Sequence, residues 1–218
     1  MTLIDLTHPL GVGAPAPAGA PAVELRRLTT HEEHILQDSW LGTPVHAGTH
    51  LDAPLHAQAG GEDIAGLDLG RLVGPAVAWR VDCDEPREIG VDELAAAEPQ
   101  PRPGDRVVIA TGWDRHYGDR ERYAVHPHLA PDAAAWLLDA GVSLLGVDTP
   151  TPELAASRRG PEFDYPIHRA LLAAGVLIVE NLAGVDRVAG RRFTLHVLPI
   201  PIEHADGAPA RVVAELRP

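Results

Sequence analysis

The chain has 218 residues, 45% of them hydrophobic, enough for one well-packed core and too apolar for a disordered chain. Its net charge of −13 sets 31 acids against 18 basic residues, every one an arginine, and no basic stretch is left to neutralise phosphates, which excludes a nucleic-acid partner. No apolar run approaches the roughly 18 residues that span a bilayer, and the N-terminus MTLIDLTHPL lacks the basic and apolar regions of a signal peptide, so no membrane partner is expected.

In chain order, residues 11–22, GVGAPAPAGAPA, are low-complexity Pro, Ala and Gly and predict an irregular loop. HEEH at 31–34 is one residue short of the HExxH spacing of zinc proteases and reads as a solvated, charged turn. AVAWRVD (76–82) alternates as a strand. Cys83 follows it between acids that disfavour a thiolate, so it is read as inert, and a single cysteine suits a reducing cytoplasm. DRVVIATGW (105–113) predicts a buried strand ending in a glycine turn, and HPH (126–128) belongs to the loop before the next helix.

Two similar units follow. Pro131 opens a helix that Gly141 closes before the strand VSLLGVD; Pro166 opens another that Gly175 closes before VLIVENL. Near-continuous apolar runs of this kind predict strands buried on both faces, as in parallel sheets. Each strand ends in an acid, Asp148 or Glu180, at the carboxyl end where α/β sheets place their sites. FTLHVLPIPIE and ARVVAEL complete the strands, and no linker separates two halves, so a single domain of mixed α/β character is expected.

The chemistry concentrates in VHAGTHLDAPLH, residues 45–56. A helix would set His50 and Asp52 about 200° apart, and Gly48 and Pro54 oppose one. As an extended segment, the even positions His46, His50, Asp52 and His56 share one face while the odd positions are mostly apolar. On a straight strand His46 and His50 would lie roughly 13 Å apart, so both can meet one ion only if the backbone bends, and Gly48 is the expected kink, with its missing side chain leaving room between the rings. Three histidines and an aspartate with no other charge match the ligand chemistry of zinc or manganese.

This stretch resembles the HxGTHxDxPxH signature of the cyclase family of metal-dependent hydrolases, which includes bacterial kynurenine formamidases and isatin hydrolases. LIDLTHPL resembles the family's N-terminal strand, and TGW, HPHLAPDAAAWLLDAGVSLLGVDTPTPE and PIHRALLAAGVLIVENL follow the family's order. The resemblance implies an α/β domain over residues 1–218 with mixed sheets and helices on one side, swivelling β/β/α-like. It implies two divalent ions, zinc with manganese as the alternative, on His46, His50, Asp52, His168 and Glu180, with Asp52 bridging and His56 as the acid/base residue. It also implies a small-molecule amide substrate and a homodimer or homotetramer. Within the family, an N-formyl aryl amide is the leading substrate class and a cyclic amide or lactone the alternative; a metal-binding protein without activity is the non-enzymatic reading. The sequence departs from the formamidase branch at residues 11–21, which carry no aromatic residue or acid where that branch has a Trp-Pro-Gly-Asp-like segment, and at ENL, where it has EGL. Asp148 is read as an orienting residue, Trp40 and Trp113 as pocket or core, and His8, His116, His196 and His204 as structural or surface groups, with the turn IEHADGAP around His204 able to approach a cleft.

Overall fold

In the computed structural model, which describes residues 1–217, the first strand is β1 (Thr2–Asp5). A hairpin of β2 (Glu24–Arg27) and β3 (Ser39–Gly42) stands apart from the main sheet. β4 (His50–Asp52), α1 (Leu69–Leu72), β5 (Val73–Arg80), β6 (Glu88–Ile89), α2 (Val91–Ala96) and β7 (Arg106–Ala110) follow. The C-terminal half contains α3 (Arg120–Tyr123), β8 (His128–Leu129), α4 (Pro131–Asp139), β9 (Leu144–Val147), α5 (Pro166–Ala173), β10 (Leu177–Glu180), β11 (Arg192–Pro199) and β12 (Gly207–Leu216).

The main sheet runs β1-β12-β11-β5-β7-β9-β10-β4, and β12 also pairs with β4, so seven strands close into a barrel with β1 as an appendage. The expected parallel strands are present: β5, β7, β9 and β10 are mutually parallel, while β4, β11 and β12 run antiparallel to their neighbours. The strand period of two divides the apolar residues between two cores. Ala76, Ala78, Val108, Leu177 and Val179 fill the barrel, whereas Val77, Trp79, Val107, Ile109 and Ile178 face outward beneath Leu94 of α2, Ala133 and Leu137 of α4, and Ile167, Leu171 and Leu172 of α5. The helices therefore cover one side of a mixed sheet, as expected, but that sheet is a closed barrel rather than an open one. No helix of the described residues is long and apolar enough to cross a membrane.

This division fixes where the polar groups sit. Leu51 points into the barrel, so its neighbours His50 and Asp52 project from the outer face. Glu180 lies directly opposite His50 in the β10–β4 register, and Gly207 of β12 lies opposite Asp52. Helix α5 crosses above them, held by Ile167, Leu171 and Leu172, each fully buried and contributing roughly 1.5–3 kcal/mol.

Candidate metal centre and cavity

Residues 45–56 are not one strand. Only His50–Asp52 pair in the sheet; the preceding residues form turns, and Pro54–His56 form a 3-10 turn. The kink does fall at Gly48, whose φ of +60° is left-handed. It brings the His46 and His50 ring centroids to 5.1 Å. A side chain at Gly48 would meet Tyr117 and Leu10 rather than the two rings, however. The close approach occurs across the sheet instead: a Cβ on Gly207 would lie 2.7 Å from Cε1 of His46 and 2.9 Å from the Leu51 carbonyl oxygen. Gly207→Ala is accordingly expected to displace His46 and to lower divalent-metal affinity by about 10- to 100-fold, the cost typical of losing ligand orientation, with the fold retained, measurable by metal titration against thermal melting.

All five anticipated ligands converge. His50 donates from Nδ1 to the Gly48 carbonyl oxygen (2.8 Å), which turns Nε2 toward Asp52 Oδ1 and Glu180 Oε2, both at 3.3 Å. His46 Nδ1 lies 2.8 Å from the same Asp52 oxygen. His168 Nε2 lies 3.1 Å from Glu180 Oε1 and 3.5 Å from Asp52 Oδ2. Asp52 thus faces all three histidines and Glu180 two of them. His168, which a helix-surface reading would place in solvent, is buried at the first turn of α5.

Two residues that sequence reasoning missed hold this arrangement. Glu153, buried, accepts from both the His168 backbone N–H (2.8 Å) and its Nδ1 (3.0 Å). It satisfies a helix-start donor and fixes the ring so that Nε2 faces the cluster. Asp206 Oδ2 lies 2.9 Å from His46 Nε2 and 2.8 Å from His56 Nδ1, tying the signature's first and last histidines together. The turn containing Asp206 was recognisable in IEHADGAP, but His204 itself is exposed, with its side chain in solvent.

Electrostatics match a cation site. Burial disfavours a charged His50, yet the Asp52 and Glu180 carboxylates outweigh it and push its pKa up to about 10. Against their burial, His46 is raised by Asp52 and Asp206, and His168 by Asp52, Glu153 and Glu180. Burial and the Asp52 charge push Glu180 up, but the hydrogen bond from His168 and the facing His50 imidazole bring it down to about 2. Asp52 is held well below the carboxylate range by His50, His168 and His46 against its burial. His50 Nε2 and Asp52 Oδ2 are both buried without a hydrogen-bond partner, although they belong to one cluster. Such orphans are rare, and a divalent cation satisfies both, so the donor set fits a metal.

The cluster opens on a cavity of about 750 Å³, lined by His46, His56, His168 and Glu180 on one side and by Pro15–Ala18 of the N-terminal loop on another. That size suits a small organic molecule. Tyr165 lies on the rim with φ of +55° immediately before Pro166, a left-handed position that costs of order 1–3 kcal/mol. His126 also lines the cavity; burial lowers its pKa to about 4 despite its bond to the Pro127 carbonyl.

The remaining candidates lie elsewhere. Asp148 is a loop organiser: its carboxylate accepts from the Thr111 and Gly112 backbone N–H groups, each at 2.8 Å, and from the Thr111 hydroxyl. Burial, opposed by these bonds, pushes it up to about 7. Trp113 is core, donating to the Tyr123 carbonyl, and Trp40 stacks under Arg26 on the exposed hairpin, so neither lines the cavity. Cys83 is buried, which raises its pKa and keeps it a thiol.

Known proteins are similar to this chain in sequence and in fold. A kynurenine formamidase of Salinibacter ruber (strain DSM 13855 / M31) is 33% identical over 222 residues, covering 98% of this chain and 97% of its own. One from Geobacillus thermodenitrificans (strain NG80-2) is 30% identical over 210 residues, covering 95% and 94%. Among solved structures, an isatin hydrolase bound to the product analogue thioisatinate superposes with a TM-score of 0.89 at 24% identity, covering 99% of this chain and 92% of that one. A structure described as a potential metal-dependent hydrolase with cyclase activity matches with a TM-score of 0.79 at 30% identity, covering 100% and 99%. The family model for Cyclase matches residues 4–154, which contain the whole HAGTHLDAPLH signature, and the chain belongs to the cyclase family.

Proposed function

We propose that the protein is an amidohydrolase that cleaves the C–N bond of a small amide, an N-formyl aryl amide first, using two divalent ions held by His46, His50, Asp52, His168 and Glu180. Zinc is the first assignment and manganese the second, from the mixed His and carboxylate donor set. The reading rests on one observation above all: the orphaned His50 Nε2 and Asp52 Oδ2 belong to a buried cluster that opens on a substrate-sized cavity beside His56. A divalent ion there polarises a carbonyl and lowers the pKa of water from 15.7 to about 7.

The protein's own groups move the proton. Hydrolysis puts the water oxygen on the carbonyl carbon, breaks the C–N bond and requires a proton on the departing nitrogen. Asp206 holds His56 through Nδ1, which leaves Nε2 for the substrate. The imidazole therefore takes a proton from water and returns it to nitrogen. That backed histidine favours catalysis over simple metal binding. Pro15–Ala18, where the formamidase branch has its Trp-Pro-Gly-Asp-like segment, offers no aromatic contact, which supports a second reading in which the substrate is a cyclic amide or lactone.

Assembly and location complete the proposal. The hairpin of β2 and β3 exposes Leu25, Leu28, Ile35, Leu36 and Leu41. Isolated hairpins are marginal and exposed apolar patches mark interfaces, so a second copy of the chain is the proposed cover, in a homodimer or homotetramer in the cytoplasm. The swivelling β/β/α relationship belongs to the same reading. Metal analysis of the purified protein, followed by N-formylkynurenine, isatin and simple lactones, tests it. About two ions per chain, with turnover lost to chelator and restored by metal, is the expected result; bound metal with no turnover of any amide or lactone would make this a metal-binding protein.

A further inference from the structure

The cavity lining includes a cation, Arg159, that no acidic side chain among the described residues balances. Of the charged groups lining the cavity, Glu180 is engaged by His50 and His168, and Asp164 pairs with Arg169 at 2.8 Å. Arg159 has no acidic partner among the described residues, in a chain of net charge −13. Its Nε donates to the Leu154 carbonyl oxygen (2.7 Å), and its terminal amino groups have no protein acceptor among the described residues. The guanidinium carbon lies 4.9 Å from both the Phe163 and the Tyr165 ring centroids, and those rings meet edge-to-face at 5.2 Å. Aromatic faces and a bonded Nε pre-organise the fork, leaving the pair of terminal nitrogens that binds a carboxylate bidentately.

Its position relates this fork to the metal cluster. The Tyr165 ring touches Arg159 on one side and stands 6.4 Å from the His168 ring. Tyr165 is thus the shared neighbour of the cluster and the guanidinium, and a substrate laid against its ring would be placed to meet both. The left-handed φ of Tyr165 ahead of Pro166 is what places the ring there.

We propose that Arg159 is the specificity-determining residue of this cavity and that the hydrolysed amide carries a carboxylate, held by Arg159 about one aromatic ring away from the scissile bond. This rests on the hydrolase reading above. The substrate class is then carboxylate-bearing aryl formamides rather than neutral anilides, lactones or isatin, because a site built around a charged donor rejects a ligand that cannot pair with it.

The test compares 4-formamidobenzoate, whose carboxylate lies across the ring from the amide, with formanilide on metal-loaded wild type, Arg159→Met and Arg159→Lys. Wild type is expected to prefer the carboxylate substrate by about 10²-fold in kcat/KM. Arg159→Met, which keeps the apolar stem, is expected to abolish that preference, with Arg159→Lys retaining part of it and metal content unchanged. In parallel, calorimetric titration with 4-aminobenzoate is expected to weaken by at least about 10-fold in Arg159→Met. An unaltered ratio between the two substrates, or an unaltered 4-aminobenzoate affinity, would overturn the assignment. Failure of wild type to hydrolyse either formamide counts against the hydrolase reading, and the 4-aminobenzoate titration then still decides the role of Arg159.

Discussion

Asp52→Asn is expected to abolish stable metal binding and to lower kcat/KM by at least about 10³-fold, since the several kcal/mol of charge stabilisation a divalent ion supplies are lost with it. No other side chain of the cluster faces all three histidines. The amide keeps the shape of the carboxylate but removes the charge that balances His46, His50 and His168. Asp52→Ala is the harsher variant: stripping one partner from a buried charge network typically costs about 3–5 kcal/mol, and its fold is to be checked by circular dichroism. For Asp52→Asn, a normal melting curve with metal below about one-tenth of the wild-type level is the expected pair of readings. Wild-type metal content in that variant would remove Asp52 from the ligand set.

Protons compete for the same positions, which gives the binding a sign with pH. His50, His46 and His168 have raised pKa values, so each proton is held below the shifted value and released as pH rises through it. A divalent ion must displace those protons. Affinity is therefore expected to rise with pH above neutrality toward about 10, where His50 releases its proton, with proton release on loading visible as a buffer-dependent heat. A flat profile would contradict histidine ligation.

Much of this centre is legible in residues 45–56, although the reason differs from the strand periodicity that points to it. His50 and Asp52 do share a face two residues apart, but His46 arrives through a turn and His56 through a 3-10 turn. The two-residue period and the folded path place the same side chains together because Gly48 takes φ of +60°. Glu180 is legible because apolar runs mark buried strands and it closes one. Glu153 and Asp206 are not. A carboxylate satisfied by a histidine looks in sequence like one satisfied by water, and 150 positions separate Asp206 from His56. Barrel closure is hidden for the same reason: it depends on β12 pairing with a strand only three residues long. Arg159 lies in a loop whose composition gives no sign of the two rings that flank it.

His56→Ala is expected to keep metal and fold while lowering kcat by about 10²- to 10⁴-fold, the usual contribution of a positioned acid/base group. The residue is a third exposed and sits on a short turn after β4, so little packing is lost with it. Its ring lies 4.2 Å from His46 and 5.7 Å from His168, between the two ends of the cluster, where a proton taken from water can reach a leaving nitrogen. The same proximity makes the substitution decisive, because His56 also falls within ligand reach of Asp52 and His168. Metal retained with activity lost assigns it the proton; metal lost with activity makes it a sixth ligand. Asp206→Asn separates orientation from chemistry: it keeps a group near Nδ1 but removes the charge, so it is expected to fall between wild type and His56→Ala, with the change in kcat exceeding the change in KM. Equal activity in wild type and His56→Ala, with metal retained, would remove His56 from the role of proton carrier.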